Sequence, residues 1–412
     1  MGLAAFAGFF TAFSMGANDV SNAMAPAVSA KAVTLRQAVV MAAVLNCLGA
    51  IFLGAEVANT IASGIIDSGR IADHRQLMVG MLAALLSSGL WVLVATFTGL
   101  PVSSTHSVVG GIIGMGVVIG GPGSVRWGVF AGIAAAWLIS PVLGGVISHF
   151  VFTHIRKNIL YSRSMLMAAR RWAPIWLGLT LNIVILSFMY KTPLGKEMRF
   201  SGADGVLVAL GIMLLVLMLS SLAWPFFFRR FIGGKKLEKA SPTRQVEELF
   251  RHMQTGTACY VALSHGANDV ANAVGPAAAI YLIASRQQMF SQVEIPLWLL
   301  LLGGLGIALG TLLMGRKVMA TVGEKLTRLN NSRGFSVAFG AATTVLLASN
   351  LGLPISTTHA SVGAVVGVGL ARGFASVDFR TLSRIVLYWV LTVPIAGVSS
   401  VVIYLVLSRL FL

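Results

Sequence analysis

Gly16-Ala17-Asn18-Asp19-Val20-Ser21-Asn22-Ala23 recurs as Gly266-Ala267-Asn268-Asp269-Val270-Ala271-Asn272-Ala273, and each copy is followed by a proline, Pro26 or Pro276. Both copies set an Asn-Asp pair inside an apolar run. A second phrase is also written twice. Pro101-Val102-Ser103-Ser104-Thr105-His106, with Gly110 and Gly114, answers Pro354-Ile355-Ser356-Thr357-Thr358-His359, with Gly363 and Gly367. Two motifs in the same order at nearly the same separation mean that the chain consists of two related halves. Between them, a weaker match sets Gly54-Ala55-Glu56-Val57 and Thr60 against Gly315-Arg316-Lys317-Val318 and Thr321, where the halves differ in charge.

The sequence around these motifs fixes their medium. Of 412 residues, 57% are hydrophobic and 10% charged, too apolar for a water-soluble domain. The runs 77–100, 127–152, 172–190, 205–228 and 385–407 approach the ~20 residues that cross a bilayer core as helix. The chain therefore reads as an all-α polytopic membrane protein, which excludes a disordered chain, a disulfide-stapled secreted domain and a soluble enzyme. A net charge of +17 would suit nucleic acid if the bases formed one soluble face. Here they lie in short loops between apolar runs, so membrane topology accounts for them and no nucleic-acid partner is expected. Cys47 and Cys259 sit in apolar stretches without metal-ligand spacing and read as packing residues. No basic region precedes the run 3–13, which is not expected to be a cleaved signal peptide.

Charge also orients the spans. The stretch 229–251 carries Arg229, Arg230, Lys235, Lys236, Lys239, Arg244 and Arg251 against Glu238, Glu247 and Glu248, and reads as a cytoplasmic linker. The segment 156–171 has five bases and no acid, and two spans separate it from the linker, so it faces the same side. Counting outward from there, the runs 1–29, 38–66, 77–100, 101–120 and 127–152 are each taken to cross once. The loop 67–75 then falls outside, while 316–333, with five bases and one acid, falls inside. Equivalent loops on opposite faces imply two inverted-topology repeats with broken helices. The sensitive step is 101–120, since a re-entrant hairpin there would change the count. The expected division is a first transport repeat over 1–155, linking spans and a basic loop over 156–251, and a second transport repeat over 252–412.

Of the 13 acids, only Asp19, Glu56 and Asp269 lie inside apolar runs. Burying an ionisable side chain mid-span costs at least ~2.5 to 3.5 kcal/mol, so it normally faces a cavity, a partner or an ion. The plainer reading is a hydrogen bond between helices, but an Asn-Asp pair kept in both halves favours a site. In Asn18-Asp19 and Asn22, positions i and i+4 would share one face of a helix, and the flanking glycine and Pro26 permit an unwound or broken backbone. Carboxylate, amide and freed carbonyl oxygens are hard ligands for a small cation. Asn268, Asp269 and Asn272 repeat the set, giving two cation or proton sites or one shared across the repeat axis. In Glu56 and its counterpart Lys317 the chain has either a pair across the repeat or a cation site present in one half only.

The Pro-x-Ser-Ser/Thr-Thr-His phrases read as helix starts, whose unpaired N–H groups and positive dipole end can hold an oxyanion. Ser103, Ser104, Thr105, Ser356, Thr357 and Thr358 would add hydroxyl donors, unless they merely cap their helices. His106 and His359 read as structural hydrogen-bonding groups.

Together, the paired Gly-Ala-Asn-Asp-Val-x-Asn-Ala and Pro-x-Ser-x-Thr-His phrases resemble the Pit-type inorganic phosphate transporter family, over roughly residues 16–369. The resemblance implies a duplicated, inverted helical fold that moves orthophosphate into the cell with sodium or protons, working as a homodimer without a cofactor. It implies phosphate contact by Asn18, Asp19, Ser103, Ser104, Thr105, Asn268, Asp269, Ser356, Thr357 and Thr358. Sodium, or alternatively protons, would couple through Asp19, Asn22, Glu56, Asp269 and Asn272. The short central region suits a prokaryotic cell-membrane protein. The expectation is a secondary phosphate symporter working by alternating access, with a sulfate permease of the same family as the alternative. A passive channel and an intramembrane enzyme using Ser103 with His106 are the rivals.

Overall fold

The computed structural model describes residues 1–71, 73–99, 101–191, 202–232, 240–286, 295–325 and 328–412; the linker lysines Lys235, Lys236 and Lys239 lie outside them. Among the described residues the chain forms thirteen α-helices and no strand beyond one isolated bridge, Ile66 with Val125. The first half comprises α1 (Gly2–Ser29), α2 (Leu35–Leu53), the short α3 (Ala55–Asn59), α4 (His74–Thr98), α5 (Ser104–Gly120) and α6 (Trp127–Ile155). Linking helices α7 (Met165–Lys191) and α8 (Gly202–Ile232) follow. The second half comprises α9 (Pro242–Arg286), α10 (Leu297–Lys325), α11 (Asn331–Asn350), α12 (Thr357–Arg372) and α13 (Phe379–Phe411). Six helical stretches are long and apolar enough to cross a bilayer, among them Leu207–Arg230 and Phe379–Phe411, and the chain is a multi-pass membrane protein.

Local sequence explains where the elements stop. Ser103 and Ser356 are both N-caps in extended backbone, accepting hydrogen bonds from His106 N and His359 N at 3.2 Å each. Gly99 closes α4 with φ 71°, a left-handed conformation that a Cβ would strain. The run 38–66 is broken: α2 ends at Leu53, and after Gly54 come α3 and a wide π turn over Thr60–Gly64.

The halves interlock by exchanging neighbours. α1 packs on α10, while α9 packs on α2; α5 packs on α13, while α12 packs on α6. Glycine allows the first of these exchanges. A Cβ on Gly16 would fall on the Ile307 carbonyl, and one on Gly266 would fall on the Asn46 carbonyl, so the first residue of each repeated phrase is where backbones meet.

α4 and α5, each counted from the sequence as one crossing, form a hairpin whose turn lies against the middle of α1. The turn's polar backbone is satisfied inside the protein: Val102 N donates to Asn18 Oδ1 at 3.4 Å, and Val102 O accepts from Thr358 Oγ1 at 3.2 Å. Both ends of this hairpin lie where Met1, Ala4, Arg75 and Phe411 share a cavity and Asp67 N bonds Ser124 O at 2.8 Å. The matching hairpin, α11 and α12, opens toward the other end of α13. There Ser332 Oγ bonds Glu247 Oε1 at 2.7 Å, and Arg156 Nη1 reaches Ala371 O. A hairpin that enters and returns has the same parity as two crossings. The loops 67–75 and 328–333 therefore still fall at opposite ends of the bundle.

Candidate functional site

The two phrases from each half converge on one buried region. Asn18, Asp19, Asn22, Asn268, Asp269 and Asn272 are all buried, as are Ser103, Ser104, Thr105, Ser356, Thr357 and Thr358. Each half's asparagine reaches the other half's hairpin tip: Asn22 Nδ2 donates to Thr358 Oγ1 at 2.9 Å, and Asn272 Nδ2 to Thr105 Oγ1 at 3.2 Å. The tips also bond one another, Thr105 Oγ1 to Ile355 O at 2.9 Å and Thr358 Oγ1 to Val102 O at 3.2 Å. Two helix N-termini therefore meet at the centre, each bringing free N–H groups and the positive end of its dipole. Around them stand two carboxylates, a combination able to hold an anion and cations side by side.

The carboxylates differ in what they touch. Asp19 Oδ1 accepts from Asn22 Nδ2 at 3.4 Å, and among the described residues no donor in bonding geometry reaches Asp19 Oδ2. Asp269 is engaged on both oxygens: Oδ1 accepts from Asn268 Nδ2 at 2.8 Å and Oδ2 from Thr357 Oγ1 at 3.2 Å, while His265 Nε2 lies 2.8 Å from Oδ2 but outside hydrogen-bonding alignment. The amide oxygens of Asn22 and Asn272 are likewise buried without a donor among the described residues. Buried oxygens left unbonded cost about 1–3 kcal/mol each, and a bound cation would remove that cost. Ligand atoms of Asp19, His265 and Asp269 lie within 4.8 Å of one another, so these three could share an ion.

His265 is a residue that the sequence motifs did not single out. It lies one helical turn before Asp269 in α9, and its Nδ1 faces Asn46 Oδ1 from α2 at 3.3 Å. Around Asp19 the equivalent places are held by Met15 of α1 and Ile307 of α10, so this polar pair has no counterpart for a repeat search to find. Thr96 and Ser349, which bond Asn18 at 3.2 Å and Asn268 at 3.5 Å, were also missed; each sits at the end of a hairpin's first helix. Glu56 lies on α3, but its side chain, like that of Lys317, lies outside the described residues.

Behind the tips, the two histidines are braced reciprocally. His106 Nδ1 bonds Trp389 O at 3.0 Å and stacks near Trp137, whereas His359 Nδ1 bonds Trp137 O at 2.9 Å and stacks on Trp389. Their ring centroids are 4.5 Å apart. Ser103 Oγ accepts from the backbone N–H of His106, while the ring's Nδ1 is bonded to the Trp389 carbonyl; among the described residues no hydrogen bond joins Ser103 Oγ to the imidazole, so the nucleophile–base contact of a Ser-His pair is not formed.

The chain is similar to known proteins along nearly its whole length. Residues 15–400 match the phosphate transporter family. Over 400 residues the chain is 44% identical to a protein of Pyrococcus abyssi provisionally named a phosphate permease, covering 97% of this chain and 96% of that one. A Haemophilus influenzae protein of the same provisional name is 37% identical over 409 residues, 98% and 96% of the two chains. A solved structure described as the sodium-dependent phosphate transporter superposes with a TM-score of 0.89 at 44% identity, covering 99% of this chain and 98% of the other.

Proposed function

We infer, for a chain that belongs to the phosphate transporter family, that it imports inorganic phosphate by sodium-coupled symport with alternating access. It is a transporter and not an enzyme. Support for sodium as the driving ion comes from the solved relative's sodium dependence and from the open hard oxygens Asp19 Oδ2, Asn22 Oδ1 and Asn272 Oδ1, which suit a small cation. Phosphate would rest between the N-termini of α5 and α12, receiving N–H groups and the hydroxyls of Ser104, Thr105, Thr357 and Thr358, with Asn18 and Asn268 orienting it. Sodium at Asp19 and Asp269 would offset repulsion between carboxylate and phosphate, so each ligand raises the other's affinity.

On this reading 1–155 and 252–412 are inverted transport repeats, 156–251 links them, and α4–α5 and α11–α12 are re-entrant hairpins entering from opposite faces. A fully loaded or empty pocket can change sides. A half-loaded pocket carries unpaired charge through a low-dielectric passage and is held back. The protein acts in the cell membrane as a homodimer with one pathway per protomer.

The observation that carries the reading is that each half's Asn-Asp phrase bonds the other half's hydroxyl-rich tip in one buried region. The test is uptake of labelled phosphate into proteoliposomes with sodium and proton gradients imposed separately. Accumulation driven by sodium alone, uncompeted by equal unlabelled sulfate, is expected. Accumulation that follows only the proton gradient, or equilibration without accumulation, contradicts it.

A further inference from the structure

At the basic end of the bundle, far along the chain from the paired motifs, the turn between α6 and α7 encloses an open polar cavity of about 510 Å³. Asn158, Ser162, Ser164, Arg170, Arg171 and Trp172 line it. Arg170 lies over the Phe228 ring of α8 at 4.3 Å, and Arg171 over the Trp172 ring at 5.6 Å. Among the described residues neither guanidinium forms an ion pair with an acid. The segment 156–171 contains five bases and no acid, so the cavity carries an uncompensated positive field.

Apolar surface borders the cavity. Met167, which lines it, is 64% exposed, and α8, whose Phe228 lies under Arg170, exposes Leu222 (69%) and Phe226 (74%) within the candidate span Leu207–Arg230. A polar, doubly cationic recess bordered by exposed apolar side chains and a tryptophan is shaped for an amphiphile at the interface between headgroups and acyl chains.

We propose that this recess binds the phosphodiester headgroup of an anionic phospholipid, with the acyl chains lying on the exposed faces of α7 and α8. Arginine is suited to phosphodiester oxygens because its planar fork makes paired hydrogen bonds, and Ser162, Ser164 and Asn158 supply further polar contacts. A zwitterionic choline lipid would bring its own cation against two guanidinium groups. The bound lipid ties the α7–α8 pair to the start of the basic linker, through Arg170 on one helix and Phe228 on the other. The proposal does not depend on what the central pocket transports.

The test uses the full chain purified in detergent, with its apparent melting temperature read after adding phosphatidylglycerol or phosphatidylcholine at equal mole ratio. Phosphatidylglycerol is expected to raise it several degrees more than phosphatidylcholine, and R170Q/R171Q is expected to lose at least half of that excess. Inorganic phosphate, which acts at the central pocket, should shift wild type and variant alike. S164E, at an exposed position just before α7, places a negative charge in the recess without removing either arginine; it should reduce the excess even where the double variant fails to fold. Equal shifts by the two lipids, an excess unchanged in S164E and R170Q/R171Q, or a variant-sensitive shift produced by inorganic phosphate alone would each overturn the proposal.

Discussion

The two halves of the central site share several mirrored hydrogen bonds, and they differ most around the aspartates. Asn22 to Thr358 mirrors Asn272 to Thr105, and the tie of His106 to Trp389 mirrors that of His359 to Trp137. Around the aspartates the mirror fails. Asp269 has His265 at 2.8 Å, backed by Asn46, whereas beside Asp19 the same positions hold Met15 and Ile307. On the proposed reading, duplication would supply an anion cradle built from two opposed helix tips. Departure from duplication leaves one carboxylate engaged and one with an open oxygen. The pseudo-symmetric parts would then serve the substrate, and the asymmetric part would make the proposed cation sites distinct.

Removing the carboxylates should break the comparison most strongly. Asp19→Asn is expected to lower sodium-driven uptake by at least ~100-fold, equivalent to about 3 kcal/mol at 1.4 kcal/mol per tenfold, with little loss of thermal stability because an amide oxygen can still accept from Asn22 Nδ2 and Asp19 Oδ2 has no bonded donor to lose. Asp269→Asn should lose uptake as severely and also melt earlier, since removing one member of a buried pair costs about 3–5 kcal/mol. Uptake and melting curves on both variants check this; matching melting behaviour would mean that the aspartates are equivalent.

Making the halves alike sharpens the same point at smaller cost. His265→Met with Asn46→Ile copies the apolar pair beside Asp19 into the place beside Asp269. Asp269 then lacks its imidazole neighbour, so sodium should stabilise this variant more than wild type, by a shift in sodium affinity of about tenfold, or 1.4 kcal/mol. Titration of melting temperature against sodium, with potassium as control, reads it directly.

The histidine brace predicts an atom-level distinction. Asparagine can place a donor near the position of Nδ1, while glutamine places one nearer Nε2. His106→Asn should keep its bond to the Trp389 carbonyl and most uptake. His106→Gln should lose that bond, about 1 kcal/mol, and show a raised phosphate KM. Equal behaviour of the two variants would remove the proposed role of the Nδ1 bond.

The smallest effect lies outside the pocket. Asp378 caps α13, and the Thr381 hydroxyl at 2.7 Å, with the Thr381 and Arg380 N–H groups, holds its carboxyl below the usual carboxylate range. Lowered in the folded state, this group stabilises α13 above the ordinary carboxylate range near ~4, and that contribution is lost as pH falls through the depressed value. Amide exchange at the start of α13 should therefore stay slow at neutral pH and quicken only in acid, while Asp378→Ala should exchange fast throughout.

What the sequence made legible follows from what repeats. Ser103 and Ser356 could be read as helix starts because capping is local chemistry, and both are N-caps. The Asn-Asp phrases stood out because polar residues in apolar runs are costly. His265 and Asn46 were not legible, because neither repeats and their meeting depends on α9 lying against α2 across the two halves. Nor did hydropathy distinguish α4 and α5 as a hairpin from two crossings. An apolar run of suitable length looks the same whether its end meets water or, as at Val102, the amide of Asn18 and the hydroxyl of Thr358.

The central claim is that both hairpin tips and both aspartates serve one anion. Arsenate, a heavier tetrahedral stand-in for phosphate, allows that to be located by anomalous scattering from crystals grown with sodium. A single arsenic peak between the tips, within hydrogen-bond reach of Thr105 and Thr358 and lost in crystals of Asp19→Asn, is the expected result. A peak bound to one tip alone, or none in that pocket while uptake persists, would contradict the account.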